Sequence, residues 1–491
     1  MFGRQIEAPK NHPQGELKMS NTSISLFDKA LKSWLPKSWR GQEGAAVLSA
    51  SSTLSPNLDG KDIETLRQWI DSCLAKDGCQ VTARSRAATL GTHFLHLSDV
   101  GRLRFLRLLA QNDYGVEEDK VQAAITAWQN CSVGGACAEP ESRVAAEEAL
   151  RQALEPRRIK LLKQFNGLQS GVKFLVDLRA EVLRLRKKHP ELAPLEVDLK
   201  SLLSSWFDIG LLQLEQIGWH SSAETLEKLI AYEAVHTIKS WKDLKNRLDS
   251  DRRCFAFFHP NMPKEPLIFV EVALVNGIAD SVQKLLDEEA PLEDLNKADT
   301  AIFYSISNAQ MGLAGISFGN FLIKQVVQEL REEFAQLKNF ATLSPIPGFN
   351  RWLAQQDADT LMTLPGGKEW LALQDNEAGG GAKVTKAKPK KVAKGEDPKK
   401  EALLRLVAHY LSVEKRGGKT AKDPVAHFHL SNGAQLCQIN WQADTSDKGE
   451  KEAAGMMVNY LYELPKIEAR SQQYSERGTV ALSRPVQKLL K

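Results

Sequence analysis

TAIFYSISNAQMGLAGISFGNFLIKQVVQELREEF, residues 300–334, decides the fold of the second half of the chain. Its first eight residues form a short apolar run bounded by turn residues, which predicts a buried strand. Gly312, Gly315 and Gly319 follow where the chain must turn. Residues 321–334 then place Leu322, Val326, Val327 and Leu330 on one face at helical spacing. In such a connection glycine lets backbone amides approach a ligand, and the opening of the helix presents unpaired N–H groups at a positive dipole end. A pyrophosphate suits that place. The spacing is neither G-x-G-x-x-G nor a P-loop, because no glycine precedes Lys324. A plain strand-to-helix turn explains the same residues.

The surroundings extend this unit into a mixed sheet. A helix is expected over about 223–248, then strands in RCFAFFH (253–259) and LIFVEVAL (267–274). FATLSPIP (340–347) is a further strand-like run broken by prolines, a helix follows near 403–411, and QLCQINW (435–441) and MMVNYLYEL (456–464) supply two more strands. Upstream, residues 59–218 read as helices. Leu66, Ile70 and Leu74 recur every four residues, Leu103, Phe105, Leu106, Leu108 and Leu109 crowd one face, and Phe174, Leu175, Leu178 and Leu183 keep the period. RRIKLLKQF (157–165) reads as a solvated face of that bundle.

Bulk properties narrow the class. The chain has 491 residues, 42% hydrophobic and 26% charged, enough for two or three ordinary domains. It contains no run of eighteen apolar residues that would span a membrane. The first eighteen residues are polar and carry Glu7 and Glu16, unlike a secretory or transit segment, so a cytoplasmic location is expected. Six cysteines make no dense framework, and the five-residue gaps in Cys73/Cys79 and Cys131/Cys137 are too wide for zinc knuckles, so structural or incidental thiols are expected. The net charge of +4 hides a local +6 in the lysine-rich residues 378–400, which leaves the rest slightly acidic. No aromatic residue interleaves those lysines for base stacking, so a solvated insertion is expected there and no nucleic-acid partner.

Two further phrases offer reactive groups. In DPVAHFHLSNGA (423–434), Asp423 can cap a helix, Pro424 suits its first position and Gly433 its left-handed stop. An Asn-Gly hairpin turn at Asn432–Gly433 competes. On the helix, His429 falls four residues after Val425 and faces inward, while His427 projects elsewhere. A histidine there can donate a proton near neutral pH, although a hydrogen-bonded core histidine is the plainer reading. The two histidines diverge at i, i+2 and lack a third ligand, so no metal site is expected. In LSPIPGF (343–349), two prolines and a glycine fix a rigid path after a strand and hold Ser344 at its head. No G-x-S-x-G elbow is present to support an acyl-serine hydrolase.

Taken together, these phrases resemble the malonyl-CoA decarboxylase family. The likeness runs through residues 300–324, NFATLSPIPGFNRWL (339–353), residues 423–444 and NYLY (459–462), with EAVHTIKSWKDLKNRL (233–248) and RRCFAFFHP (252–260) before them. It covers most of residues 200–465 and, more faintly, the helical half. The resemblance implies an α+β fold. A leader (1–57) precedes an all-α helical bundle (58–205) used for homo-oligomerisation as dimer or tetramer. A catalytic domain (206–491) with the acetyl-CoA-dependent N-acetyltransferase fold follows. It implies conversion of malonyl-CoA to acetyl-CoA and carbon dioxide, in fatty-acid and malonate metabolism, without metal or organic cofactor. Ser344 and His429 fall on the family's catalytic positions. Ala314, Gly315, Ile316, Ser317, Phe318, Gly319 and Asn320 fall on its CoA-contacting loop, and Tyr462 on a site tyrosine. Ser317 departs from the glutamate of some members, so no acid can be assigned there.

The chemistry such a site must perform is limited. When a β-carboxy thioester loses carbon dioxide, its own carbonyl accepts the electrons. The protein must hold the carboxylate out of the carbonyl plane, stabilise the enolate oxygen and deliver a proton. An acyltransferase acting on an amine, or a non-catalytic acyl-CoA sensor, would use the same loop without producing acetyl-CoA from malonyl-CoA alone.

Overall fold

A computed structural model describes residues 54–75, 80–132, 140–168, 170–316, 319–377 and 398–491. Residues 1–53 of the expected leader, Ser317 and Phe318 of the glycine loop, and residues 378–397 of the lysine-rich segment lie outside that set. The chain divides into two compact units, 1–108 and 109–491. In the first, the helices Gly60–Leu74 and Gln80–His96 and most of Asp99–Ala110 bury Leu66, Ile70, Phe94, Phe105 and Leu106. Asp59 opens the first helix as half of a reciprocal cap with Asp62.

The second unit begins with helices that share it with the sheet. Two of them matter below: α1, Gly171–Leu185, and α2, Ala193–Trp206. RRIKLLKQF is solvated on one side only, at Lys160 and Lys163. Arg158, Ile159, Leu161, Leu162 and Phe165 are buried, and Arg158 Nε donates to Asp198 at 2.5 Å. A buried arginine of this kind is tolerated because its charge is paired.

The sheet contains β1 (Gln213–Ile217), β2 (Arg252–Phe258), β3 (Ile268–Val275), β4 (Thr300–Asn308), β5 (Asn339–Thr342) and β6 (Ser344–Pro345). A separate hairpin, β7 (Lys415–Arg416) with β8 (Thr420–Ala421), precedes β9 (Gln435–Asn440) and β10 (Met457–Leu461). The strand order is β1-β2-β3-β4-β5-β10-β6, with β9 on β10. Every pair is antiparallel except β4 and β5, which are parallel and joined over one face by α3, Gly319–Glu333. Their pairing runs only from Thr300↔Asn339 to Phe303↔Thr342. Beyond it the chain turns toward β10, where Ser344 pairs with Val458.

The differences from expectation have local causes. The single helix expected over about 223–248 is two, Ala223–Tyr232 and Trp241–Arg247. At the break, the Glu233 carboxylate accepts the N–H groups of Val235 and His236 at 2.7 and 2.8 Å and is held by the hydroxyls of Ser305 and Ser307. This side chain competes with the helix for its own backbone donors. β1 went unpredicted because QLEQI is a mostly exposed strand with one partner and no apolar run. Cys131 is disulfide-bonded, which corrects the thiol reading for that residue, whereas Cys254 and Cys437 remain thiols. Among the described residues no helix is long and apolar enough to cross a membrane.

Candidate active site

Two short elements bring the reactive side chains together. On the β5–β6 path, Thr342 and Ser344 are two residues apart and so share one face, while Leu343 between them is buried on the other. Facing them is α4, Pro424–Ser431, which forms as its end residues require. The Asp423 carboxylate accepts the N–H groups of Val425 and Ala426, both at 2.9 Å, and Pro424 fills the first turn. Gly433 ends it with φ +78°, and a Cβ there would lie 2.0 Å from the Ile467 carbonyl oxygen. The helix stop, not the competing hairpin turn, is the structure formed. It leads through Ala434 directly into β9.

His429 therefore faces the sheet. Its Nε2 lies 3.0 Å from Ser344 Oγ and its Nδ1 lies 2.8 Å from the Tyr462 hydroxyl. Ser344 Oγ–H donates to Thr342 Oγ1 at 2.9 Å, and the Tyr460 backbone N–H also donates to that oxygen, at 3.2 Å. The direction of the Ser344–Thr342 bond favours one tautomer. Ser344 spends its proton on Thr342, so His429 donates Nε2–H to Ser344, and its Nδ1 accepts from Tyr462. The result is a one-way chain, Tyr462 to His429 to Ser344 to Thr342.

All four side chains are buried, with Ser344 the most exposed at 5%. The His429 ring stacks on Tyr460, centroids 4.6 Å apart. Burial without a nearby charge pushes the His429 pKa down to about 3, so the imidazole is neutral. The same cause raises the Tyr462 phenol well above its usual value, so it keeps its proton as a donor.

The sequence reading did not single out Thr342 or Asn459. Thr342 could have been found from its two-residue spacing to Ser344. Asn459 gives no such signal, since it hides in an apolar run. Its Nδ2 donates to the carbonyls of Thr342 and Ala279, at 2.8 and 3.0 Å, and its Oδ1 accepts from Asn440. It thereby braces the strand that carries Thr342. His427 lies apart from Ser344 and His429, with its Nδ1 2.9 Å from the Tyr474 hydroxyl.

The described part of the glycine loop is residues 309–316. It contains the tight turn Met311–Leu313 and a left-handed Gly315 with φ +75°. Ala314, Gly315 and Ile316 are described, Ser317 and Phe318 are not, and Gly319 and Asn320 open α3. A cavity of about 760 Å³ runs between α3, at Lys324, Val327 and Arg331, and the segment from Tyr462 to Ile467. Tyr462 thus touches both that cavity and His429.

Asp423 also links α4 to the turn after Ser344, through the Gly348 backbone N–H, and receives the Tyr410 hydroxyl at 3.5 Å. Asp423→Ala is expected to cost about 1–2 kcal/mol of stability through the lost cap. It should also lower kcat by loosening His429. A thermal melt and initial rates check this; an unaltered melting point would show that the cap does not hold the helix.

Comparison with known proteins agrees across the chain. Residues 210–491 match the family model described as the malonyl-CoA decarboxylase C-terminal domain, and residues 114–207 match the corresponding N-terminal domain. The chain is 40% identical over 361 residues to the mitochondrial malonyl-CoA decarboxylase of Mus musculus, covering 70% of this chain and 73% of that one. It is 35% identical over 457 residues to the protein of the same name from Anser anser anser, covering 89% and 88%. The crystal structure of malonyl-CoA decarboxylase from Rhodopseudomonas palustris superposes with a TM-score of 0.75 at 38% identity, covering 87% of this chain and 99% of that one. The Agrobacterium vitis protein of the same name gives 0.72 at 37% identity, covering 88% and 100%.

Proposed function

The chain belongs to the malonyl-CoA decarboxylase family and is a carboxy-lyase, and from that premise we propose how its buried chain of donors works. The substrate is malonyl-CoA. Its malonyl group lies against Ser344, which turns its hydroxyl from Thr342 to the substrate. Carbon dioxide leaves, the electron pair passes into the thioester carbonyl, and an enolate forms. His429 gives its Nε2 proton to the enolate carbon, making acetyl-CoA. The Tyr462 proton passes to His429 Nδ1, and Tyr462 recovers one from the cavity beside α3; once acetyl-CoA has left, Nε2 takes up a proton while Nδ1 gives one back through Tyr462, which restores the starting tautomer. One proton is consumed per turnover, as a carboxylate converted to carbon dioxide and a new C–H bond require.

The observation that carries this reading is the directed hydrogen-bond chain that passes through a neutral, buried histidine. A neutral imidazole protonates only a strongly basic carbon, and an enolate is one. The peptide amides of residues 314–320 would cradle the CoA pyrophosphate, with Tyr462 at the acyl end. The test is turnover of malonyl-CoA alone in heavy water. One deuterium in the acetyl methyl group per molecule of carbon dioxide is expected; acetyl-CoA free of solvent deuterium would overturn the enolate route.

The sheet order, with one parallel pair that stops short after Phe303, favours an acetyltransferase-like fold for residues 206–491. Homo-oligomerisation through the helical residues 58–205, as dimer or tetramer, belongs to the same proposal, and sedimentation reads it directly. The cytoplasmic expectation stands against the word mitochondrial in the names of the mammalian relatives, and cell fractionation decides between the two.

A further inference from the structure

The helical residues before the sheet reach into the glycine loop. Arg179 of α1 is 1% exposed, and its guanidinium spans two loop carbonyls. Nη1 donates to Gly312 O at 2.6 Å and Nη2 to Ala314 O at 2.9 Å. Glu196, in the first turn of α2, accepts from Nη2 at 2.8 Å and balances the charge, and Arg186 holds its other oxygen at 2.8 Å. One turn before Arg179, the Val176 carbonyl presses on the same loop. A Cβ on Gly312 would lie 1.8 Å from that oxygen.

This clamp has a directional consequence. In a trans peptide the C=O of one residue and the N–H of the next point in opposite directions, and the described chain contains no cis bond. With the Ala314 carbonyl held inward on Arg179, the Gly315 N–H is turned outward. That N–H has no backbone partner among the described residues. Beside it is a cation. Lys200 Nζ of α2 lies 3.6 Å from the position a Cβ would take on Gly315, and Lys200 is exposed with no ion pair among the described residues.

We propose that the α1–α2 pair is part of the thioester site, with Arg179 positioning the loop and Lys200 meeting a phosphate of the CoA moiety beside the Gly315 N–H. The assignment rests on the reading that this loop cradles CoA phosphates. It gives the helical segment a share in substrate binding besides any part in assembly. A compact ammonium and an outward amide are the donors a phosphate oxygen takes. Arg179 does not touch substrate. Its planar fork serves the two carbonyls from two separate nitrogens, a spread that the single nitrogen of a lysine does not have.

The experiment compares malonyl-CoA with malonyl-pantetheine, which keeps the acyl arm and lacks every phosphate. In the parent enzyme the KM for malonyl-CoA should be the lower. Lys200→Ala should raise the KM for malonyl-CoA by roughly tenfold, the loss of one charge-assisted contact. It should leave kcat and both constants for malonyl-pantetheine in place. Arg179→Lys should show the same selective loss, and Lys200, being exposed, supplies the answer if that variant fails to fold. A parent preference that survives intact in Lys200→Ala overturns the inference alone. A parent enzyme that does not distinguish the two thioesters overturns the phosphate-cradle reading and this inference with it.

Discussion

His429→Ala abolishes acetyl-CoA formation, by about 10²–10⁴-fold or more, while malonyl-CoA still binds: that is the largest effect expected in this enzyme. The imidazole contacts Ser344 and has a proton source behind it, the Tyr462 hydroxyl. Alanine removes the donor and leaves both hydroxyls without their partner. Rates from acetyl-CoA release, set beside calorimetric binding of malonyl-CoA, separate the two roles; near-normal turnover would sink the assignment. The imidazole also predicts a pH signature. Its folded pKa, near 3, lies below the ordinary 6.5, so between those values the unfolded chain holds the extra proton. The stability it contributes is complete above pH 6.5 and declines by about 1.4 kcal/mol per pH unit as the solution is acidified toward 3. His429→Ala should flatten that part of the stability profile. In the parent enzyme, kcat should show no limb near pH 6.5 belonging to this residue.

Ser344→Ala is expected to lower kcat by at least about a hundredfold, the usual cost of losing a preorganised donor at a developing charge. The hydroxyl oxygen is held between His429 Nε2 at 3.0 Å and Thr342 Oγ1 at 2.9 Å, so turning its proton from Thr342 to the substrate leaves the oxygen in place. Alanine leaves the Nε2–H of His429 buried without an acceptor, so a modest fall in stability should accompany the loss of rate. Thermal melts taken with the kinetics separate the two. A mild kinetic effect with a clear loss of stability would reduce Ser344 to a residue that orients His429.

Much of this architecture was legible where local chemistry and periodicity agree. The strand, glycine loop and helix over residues 300–334 formed as their pattern requires, and α4 formed between Asp423 and Gly433 because each end residue has a specific backbone task. The inward direction of His429 followed from helical spacing. What escaped depends on tertiary partners. Glu233 breaks a helix only because Ser305 and Ser307 hold its carboxylate, and those lie more than 70 residues downstream. RRIKLLKQF looked solvated because its arginines and lysines suggest water, yet Arg158 has Asp198 to pair with. Thr342 and Asn459 gained their places from the sheet, and Arg179 its place from a loop in another part of the chain. The family likeness supplied the roles proposed for Ser344 and Tyr462, which no local pattern would have assigned.

The Arg179 clamp also bears on how the molecule acquires activity during folding. The guanidinium and the Gly312 carbonyl are 133 residues apart in sequence, and Ser344 and His429 are 85 apart. Contacts of such separation close late, because the chain entropy between them must be lost before they are rewarded. Helices and hairpins can form well before either contact exists. On refolding from denaturant, far-ultraviolet circular dichroism should therefore recover first and decarboxylation last. During synthesis, the nascent chain remains inactive until β10 and Tyr462 have emerged, however early its helices appear.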